Sequence, residues 1–138
     1  LRRFQPGIAA VLATELTREA IFSAMRQRRC YACEGTRIRL DFRVNGATMG
    51  EEIADGGEPH RALFFQVEAP APIEQIAVIK NGRDQFLYHL EGEGNRHSAL
   101  VIDLDAERPT DYYYLRVTQS DGLRAWSSPI WVEARRSR

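Results

Sequence analysis

Net charge is the first thing this 138-residue sequence lacks: 19 Lys+Arg balance 19 Asp+Glu. With no excess of either sign, no global field draws the chain to nucleic acid or to an anionic bilayer, and neither is expected as a partner. Long apolar runs are missing too. The longest, Gly7 to Ala13, falls far short of the ~20 residues a spanning helix needs. Coming after Arg2 and Arg3 it has the outline of a signal peptide, but it is short, mostly alanine, and leads straight into a helix entry. Cysteine is limited to Cys30 and Cys33, too few for a disulfide framework, and a chain of this size buries a core without one. Lysine occurs once, at Lys80. The first residue is leucine rather than methionine, so a piece of a longer protein is expected.

What is present divides by period. Thr17 to about Arg29 reads as a helix: Thr17 is an N-cap, Glu19 suits the positive end of the dipole and Arg26, Arg28 and Arg29 the negative end. Leu16 and Ile21 are placed for a hydrophobic staple, and Ile21, Ala24, Met25 and the stem of Arg28 form an apolar stripe with Phe22 beside it. After Gly35 the period changes from 3.6 to 2, as Ile38, Leu40, Phe42 and Val44 alternate with Arg37, Arg39, Asp41 and Arg43. Further strands are predicted at 62–68, 75–80, 85–90, 98–103, 112–119 and 125–134. They are separated by turn signals at Pro70 to Pro72, Asn81-Gly82, Gly92 to Asn95, Pro109 and Asp121-Gly122. Short strands without interleaved helices predict a mainly β protein, an immunoglobulin-like antiparallel β-sandwich preceded by an N-terminal helical segment. The expected organisation is a helical segment at 1–36, a sandwich at 37–134 and a tail at 135–138. One of Tyr112, Tyr113 and Tyr114 is a tyrosine-corner candidate, and Pro129 suits an edge or bulge in the last strand.

Candidate chemistry is sparse. Cys30-x-x-Cys33 is expected at a helix C-terminus, where the dipole disfavours a thiolate, and His60, His89 and His97 lack metal-ligand spacing, so two buried small residues are expected. Asp103-Leu-Asp105-Ala-Glu107 lacks the glycine and distal glutamate of a calcium loop and reads as a solvated strand end. Glu51-Glu52 reads as exposed carboxylates. Ser127-Ser128 has no nucleophile elbow around it, and Gly92 to Asn95 reads as a hairpin loop. No catalytic, metal or cofactor residue is therefore assigned. Tyr112, Tyr114, Trp126 and Trp131 are the candidates for a binding or packing surface, although at period 2 alternate members must point inward and most of the aromatic area is expected in the core.

Two blocks carry a family resemblance. Thr17 to Ala32, continuing through Gly35-Thr-Arg-Ile38 to Asn45-Gly46 and Met49-Gly50, resembles the end of the catalytic domain in a bacterial family of PHP-type (polymerase and histidinol phosphatase) metal-dependent hydrolases with carbaryl-hydrolase-like relatives. Tyr113 to Gly122 with Ala125 to Val132 is similar to that family's terminal signature. The resemblance implies a parent with a distorted β/α barrel that binds divalent metals through motifs upstream of this chain, with Phe4 to Gly7 in the loop after the last of them. The helix at Thr17 would be the barrel's last, and this chain a catalytically silent accessory sandwich. Its implied partner is the N-terminal catalytic domain of the same chain. Without that domain, the helix stripe should fold back on the sandwich or drive homo-association. Threonines are typical of the family where Cys30 and Cys33 stand, which implies tolerated small residues.

Overall fold

The computed structural model describes residues 6–135. The expectations for Arg2 to Gln5 and for all but the first residue of the tail lie outside them. The chain forms β1 (Gly7–Val11), α1 (Arg18–Arg26), β2 (Cys30–Glu34), β3 (Arg39–Val44), β4 (Ala47–Thr48), β5 (Glu52–Ala54) and β6 (Arg61–Glu68). There follow β7 (Ile73–Lys80), β8 (Arg83–His89), β9 (Arg96–Asp103), β10 (Thr110–Gln119), β11 (Arg124–Ser127) and β12 (Ile130–Glu133). The expected sandwich is observed, with a smaller sheet ordered β4-β3-β6-β9 and a larger one organised on β10. One side of β10 pairs with β7, which pairs with β8. Its other side pairs with β12 at residues 110–113 and with β11 at 116–118.

Two partners can share that side because the expected strand at 125–134 is broken at Ser128-Pro129, where proline has no N–H to donate. β11 continues the larger sheet to β2 and β1, while β12 takes β5 as a parallel neighbour. Alternation does the rest. Leu40, Phe42 and Val44 of β3, Leu63, Phe65 and Val67 of β6, and Tyr113, Leu115 and Val117 of β10 point inward and are buried in one shared core. Asn45-Gly46 and Asn81-Gly82 turn the β3–β4 and β7–β8 hairpins with positive φ at both residues, as two-residue hairpin turns require.

The segment before residue 37, expected as helical, holds two five-residue strands beside its nine-residue helix. α1 keeps its cap, with Thr17 Oγ1 accepting from the Ala20 N–H at 3.2 Å. It ends at Arg26, however, and Cys30 to Glu34 pairs with both β1 and β11. Pairing won because β11 offers an open edge that Cys30 to Glu34 can extend. The staple does not form, since Leu16 is 94% exposed. Of the helix stripe, Ala24 is buried and Ile21 half-buried, while Phe22 and Met25 stay exposed. Gly92 to Asn95 is not a hairpin loop either, because it joins β8 in one sheet to β9 in the other.

The corner between α1 and β2 rests on Gly50. A Cβ there would lie 2.5 Å from the carbonyl oxygens of Gln27 and Arg28, and its φ is +93°. Gly50→Ala should therefore cost about 2–4 kcal/mol in urea unfolding, from the left-handed backbone and the backbone clash together. Gly46→Ala, with φ +81° but nothing within 4 Å of the new Cβ, should cost only about 1–2 kcal/mol. Equal losses at the two positions would remove the clash from the account.

Candidate functional site

Two groups of side chains stand out, one sealed inside the sandwich and one spread over its outer surface. The first lies where β6 and β10 begin and β7 and β9 end. Arg61, Lys80, Asp103, Asp111 and Tyr113 are each at most 2% exposed. Asp111 is the hub: its carboxylate pairs with Arg61 Nη1 and accepts from Asn81 Nδ2 at 2.6 Å and from the backbone N–H groups of Glu107 and Arg108 at 3.1 Å. The Tyr113 hydroxyl donates to Asp103 Oδ2 at 2.5 Å and accepts from Arg61 Nη1 at 3.1 Å. Lys80 Nζ lies 2.6 Å from Asp103 Oδ2 and 3.7 Å from Glu107.

This cluster corrects two sequence expectations. Asp103 is buried in an ion network rather than solvated, whereas Asp105 and Glu107 stay exposed, as a strand end would have them. Tyr113, instead of making a tyrosine corner to the backbone, bonds to two charged side chains. Burial and the hydrogen bond to Asp103 push its phenol pKa well above the usual value against the opposing Arg61 charge. The signal for the network was the single lysine at the end of the apolar run Ile76 to Ile79, since a lysine buried there must find carboxylates. Asp55 joins at the margin, 3.4 Å from Arg61 Nη2. The backbone N–H groups of Arg135 and Gly57, with help from Arg61, hold its carboxyl below the ordinary 3.8.

The other sequence candidates are structural. In a strand, residues three apart face opposite ways, so Cys30 and Cys33 cannot converge on one ligand. Cys33 is buried, and burial raises its thiol pKa. Ser127 Oγ accepts from the Leu115 N–H at 2.8 Å, and Glu51 accepts from the Thr48 N–H. His97 packs beside Phe65 and Tyr88, whereas His60 and His89 are exposed. Among the described residues, no three His, Cys, Asp or Glu side chains are grouped to hold a metal ion.

The second group is the aromatic set. Tyr112, Tyr114, Trp126 and Trp131 all lie on the outer face of the larger sheet and are half-buried, so the expectation that most of this area is core is overturned. The reason is phase. Tyr113, Ala125, Ile130 and Val132 take the inward positions, which leaves the larger rings outside. Tyr112 stands opposite Trp131, and Trp126 opposite Arg116. An arginine held by a carboxylate covers each indole: Arg28, 3.4 Å from Glu52, over Trp131, and Arg124, 2.7 Å from Glu34, over Trp126, both 5.1 Å from the ring centroid. Arg116 adds a third pair with Asp84 at 3.3 Å. Arginine, tryptophan and tyrosine are the residue types enriched at protein interfaces.

Three measurements follow from these two groups. Asp111→Ala should lower unfolding free energy by about 3–5 kcal/mol, because it leaves the buried Arg61 guanidinium with only the marginal Asp55 as counter-charge; a loss below about 1 kcal/mol would deny the network its clamping role. Asp55 stabilises the fold above pH 3.8, and that contribution disappears as pH falls through its lowered folded value. The decline in urea midpoint at acid pH should therefore be shallower in Asp55→Asn than in the parent chain. In the native chain Cys33 should resist a thiol-specific reagent that labels it fully in denaturant.

Comparison with known proteins places the chain in a longer context. An uncharacterized protein of Chlamydia pneumoniae is 33% identical over 144 residues, covering 95% of this chain and 23% of its own length. Uncharacterized proteins of Chlamydia muridarum and Chlamydia trachomatis serovar D are 32% and 33% identical, each covering 96% of this chain and 23% of the relative. The chain thus spans about a quarter of the length of the curated relatives it matches. No solved structure matches it. With a family model matching residues 2–80, more than half of the sequence, the chain belongs to the family described as protein of unknown function (DUF3604).

Proposed function

We propose that this chain is the non-catalytic C-terminal accessory sandwich of a PHP-type metal-dependent hydrolase of phosphoesterase-like chemistry, and that its aromatic outer face packs on the catalytic barrel. The observation that carries the reading is the outward placement of Tyr112, Tyr114, Trp126 and Trp131 in a chain spanning 23% of its relatives' length. Half-buried rings interleaved with paired arginines suit a protein neighbour that completes their burial. The exposed Phe22 and Met25 of α1 add apolar area for the same contact.

The residues that could support chemistry of their own are engaged in the fold. Cys33 lies in the core, Ser127 anchors β10, and Asp103 is committed to Lys80. The divalent metals that the PHP resemblance implies would be held by the barrel, where they activate the attacking water. This chain's part is mechanical, supporting the barrel and shaping its mouth.

A second reading, a glycan-binding module, draws on the same rings, since sugars stack on exposed indoles. The arginines above Trp126 and Trp131 count against it, because each occupies the ring face a sugar would need.

Metal content and turnover of a phosphoester panel, measured side by side on this chain and on a full-length relative, test the proposal. Both should be confined to the longer protein. Stoichiometric metal or turnover in the 138-residue chain would overturn the accessory role. Acrylamide should quench Trp126 and Trp131 in the 138-residue chain but not in the natural full-length protein, with Trp→Phe variants assigning the signals. Saturable fluorescence change on glycan titration would favour the second reading.

A further inference from the structure

The smaller sheet ends in a strand that natural sheets rarely leave bare. β9 pairs only with β6, in unbroken register over eight residues from Arg61↔Asp103 to Glu68↔Arg96. Its other side is a row of backbone donors and acceptors with no partner strand among the described residues. The other edges are blunted. β4 and β5 are two and three residues long, the part of β3 that β4 leaves uncovered carries Arg39 and Asp41, β1 is five residues, and β8 is interrupted by a register shift opposite Val78/Ile79. β9 carries no proline and no bulge, and its charges, Arg96 and the inward Asp103, stand at its two ends and leave the middle of the edge unguarded.

Its side chains add direction to this. Leu100 and Ile102 point away from the core and are 67% and 46% exposed, and Leu104 just beyond is 59% exposed. They continue onto Phe64 and Ala62 of β6, which stand opposite Leu100 and Ile102. The strand is also directional in charge: Arg96, 3.2 Å from Glu68, opens it, the middle is apolar, and the exposed Asp105 lies just beyond its end, Asp103 being buried against Lys80. A strand of this kind complements an antiparallel copy of itself, basic end to acidic end, and opposes a parallel one.

We infer that β9 pairs antiparallel with β9 of a second copy of this chain, joining the two smaller sheets into one continuous sheet about a twofold axis at Leu100. In that register Leu100 faces Leu100, Ser98 faces Ile102, and Arg96 reaches the acidic end at Leu104-Asp105. Only even sums of paired residue numbers keep the outward set on a common face, so the axis passes through a residue and not between two. Backbone hydrogen bonds supply the affinity and the apolar outer row the register. The surface is on the smaller sheet, and the aromatic face of the larger one plays no part in it.

Sedimentation equilibrium of the 138-residue chain across a concentration series reads the pairing directly. The mass should rise from 15.8 kDa toward twice that value. Leu100→Lys, at an exposed position where folding is not at stake, sets two like charges face to face on the axis and should abolish the rise. Arg96→Glu and Asp105→Arg should each weaken association about tenfold, since every reversal acts twice across the axis, and the double variant should restore it. Circular dichroism checks that each variant remains folded. A mass that stays monomeric at millimolar concentration, an association that Leu100→Lys leaves intact, or a double reversal that fails to rescue would each overturn the inference.

Discussion

The ion pair between Arg61 and Asp111 is the contact on which the two-sheet arrangement depends. Arg61 opens a strand of the smaller sheet and Asp111 lies in the first turn of residues of the central strand of the larger one, so the pair ties the layers at one end. The Asp111 carboxylate also gathers the Asn81 turn and the connection from β9 to β10, whose Glu107 and Arg108 amides it binds. Lys80, Asp103 and Tyr113 extend the same network across the sandwich. Charges taken out of water this completely are stable only together, so the sheets cannot separate at that end without exposing the whole set. The apolar core holds the layers face to face, while the network fixes which ends meet.

The strands whose inward set is strongly apolar were legible in the sequence. Leu40, Phe42 and Val44 announce β3, and Tyr113, Leu115 and Val117 announce β10, because period-2 burial needs nothing from elsewhere in the chain. β1 and β2 were not legible. Ala9, Ala10 and Ala32 carry little strand preference, and Cys30 to Glu34 is held extended by β1 on one side and by β11, far along the chain, on the other. Likewise, no local pattern links Arg61 with Asp111 or Lys80 with Asp103, since these contacts arise when distant strand ends are brought level. The aromatic face was half legible. Its members were identified, but their orientation depended on which phase each strand adopted, and that phase was settled by Tyr113, Ile130 and Val132 claiming the interior.

The two surfaces differ in character. The larger sheet shows rings covered by arginines that carboxylates hold in place, so its charges are already paired locally. Such a face can be buried against protein without stranding a charge, which is the usual obstacle to packing arginine-rich surfaces. The smaller sheet offers bare backbone and a short apolar row. The proposed barrel contact would draw on the broad face and the proposed strand pairing on the narrow edge.

The division of one side of β10 between β11 and β12 bears on how the chain comes to be folded. β2, near the start, finds its place only against β11, near the end, with Tyr31 standing opposite Ser127. Pairing across so much chain belongs to the slow class of topologies, which close in about milliseconds to seconds rather than microseconds. While the last strands are still being synthesised, β2 has no edge to join beyond β1, Asp111 has little to anchor, and Lys80 awaits its carboxylates. The sandwich therefore remains unsealed until β11 and β12 emerge, and any machinery that guards nascent β-rich chains would have it in its care until then.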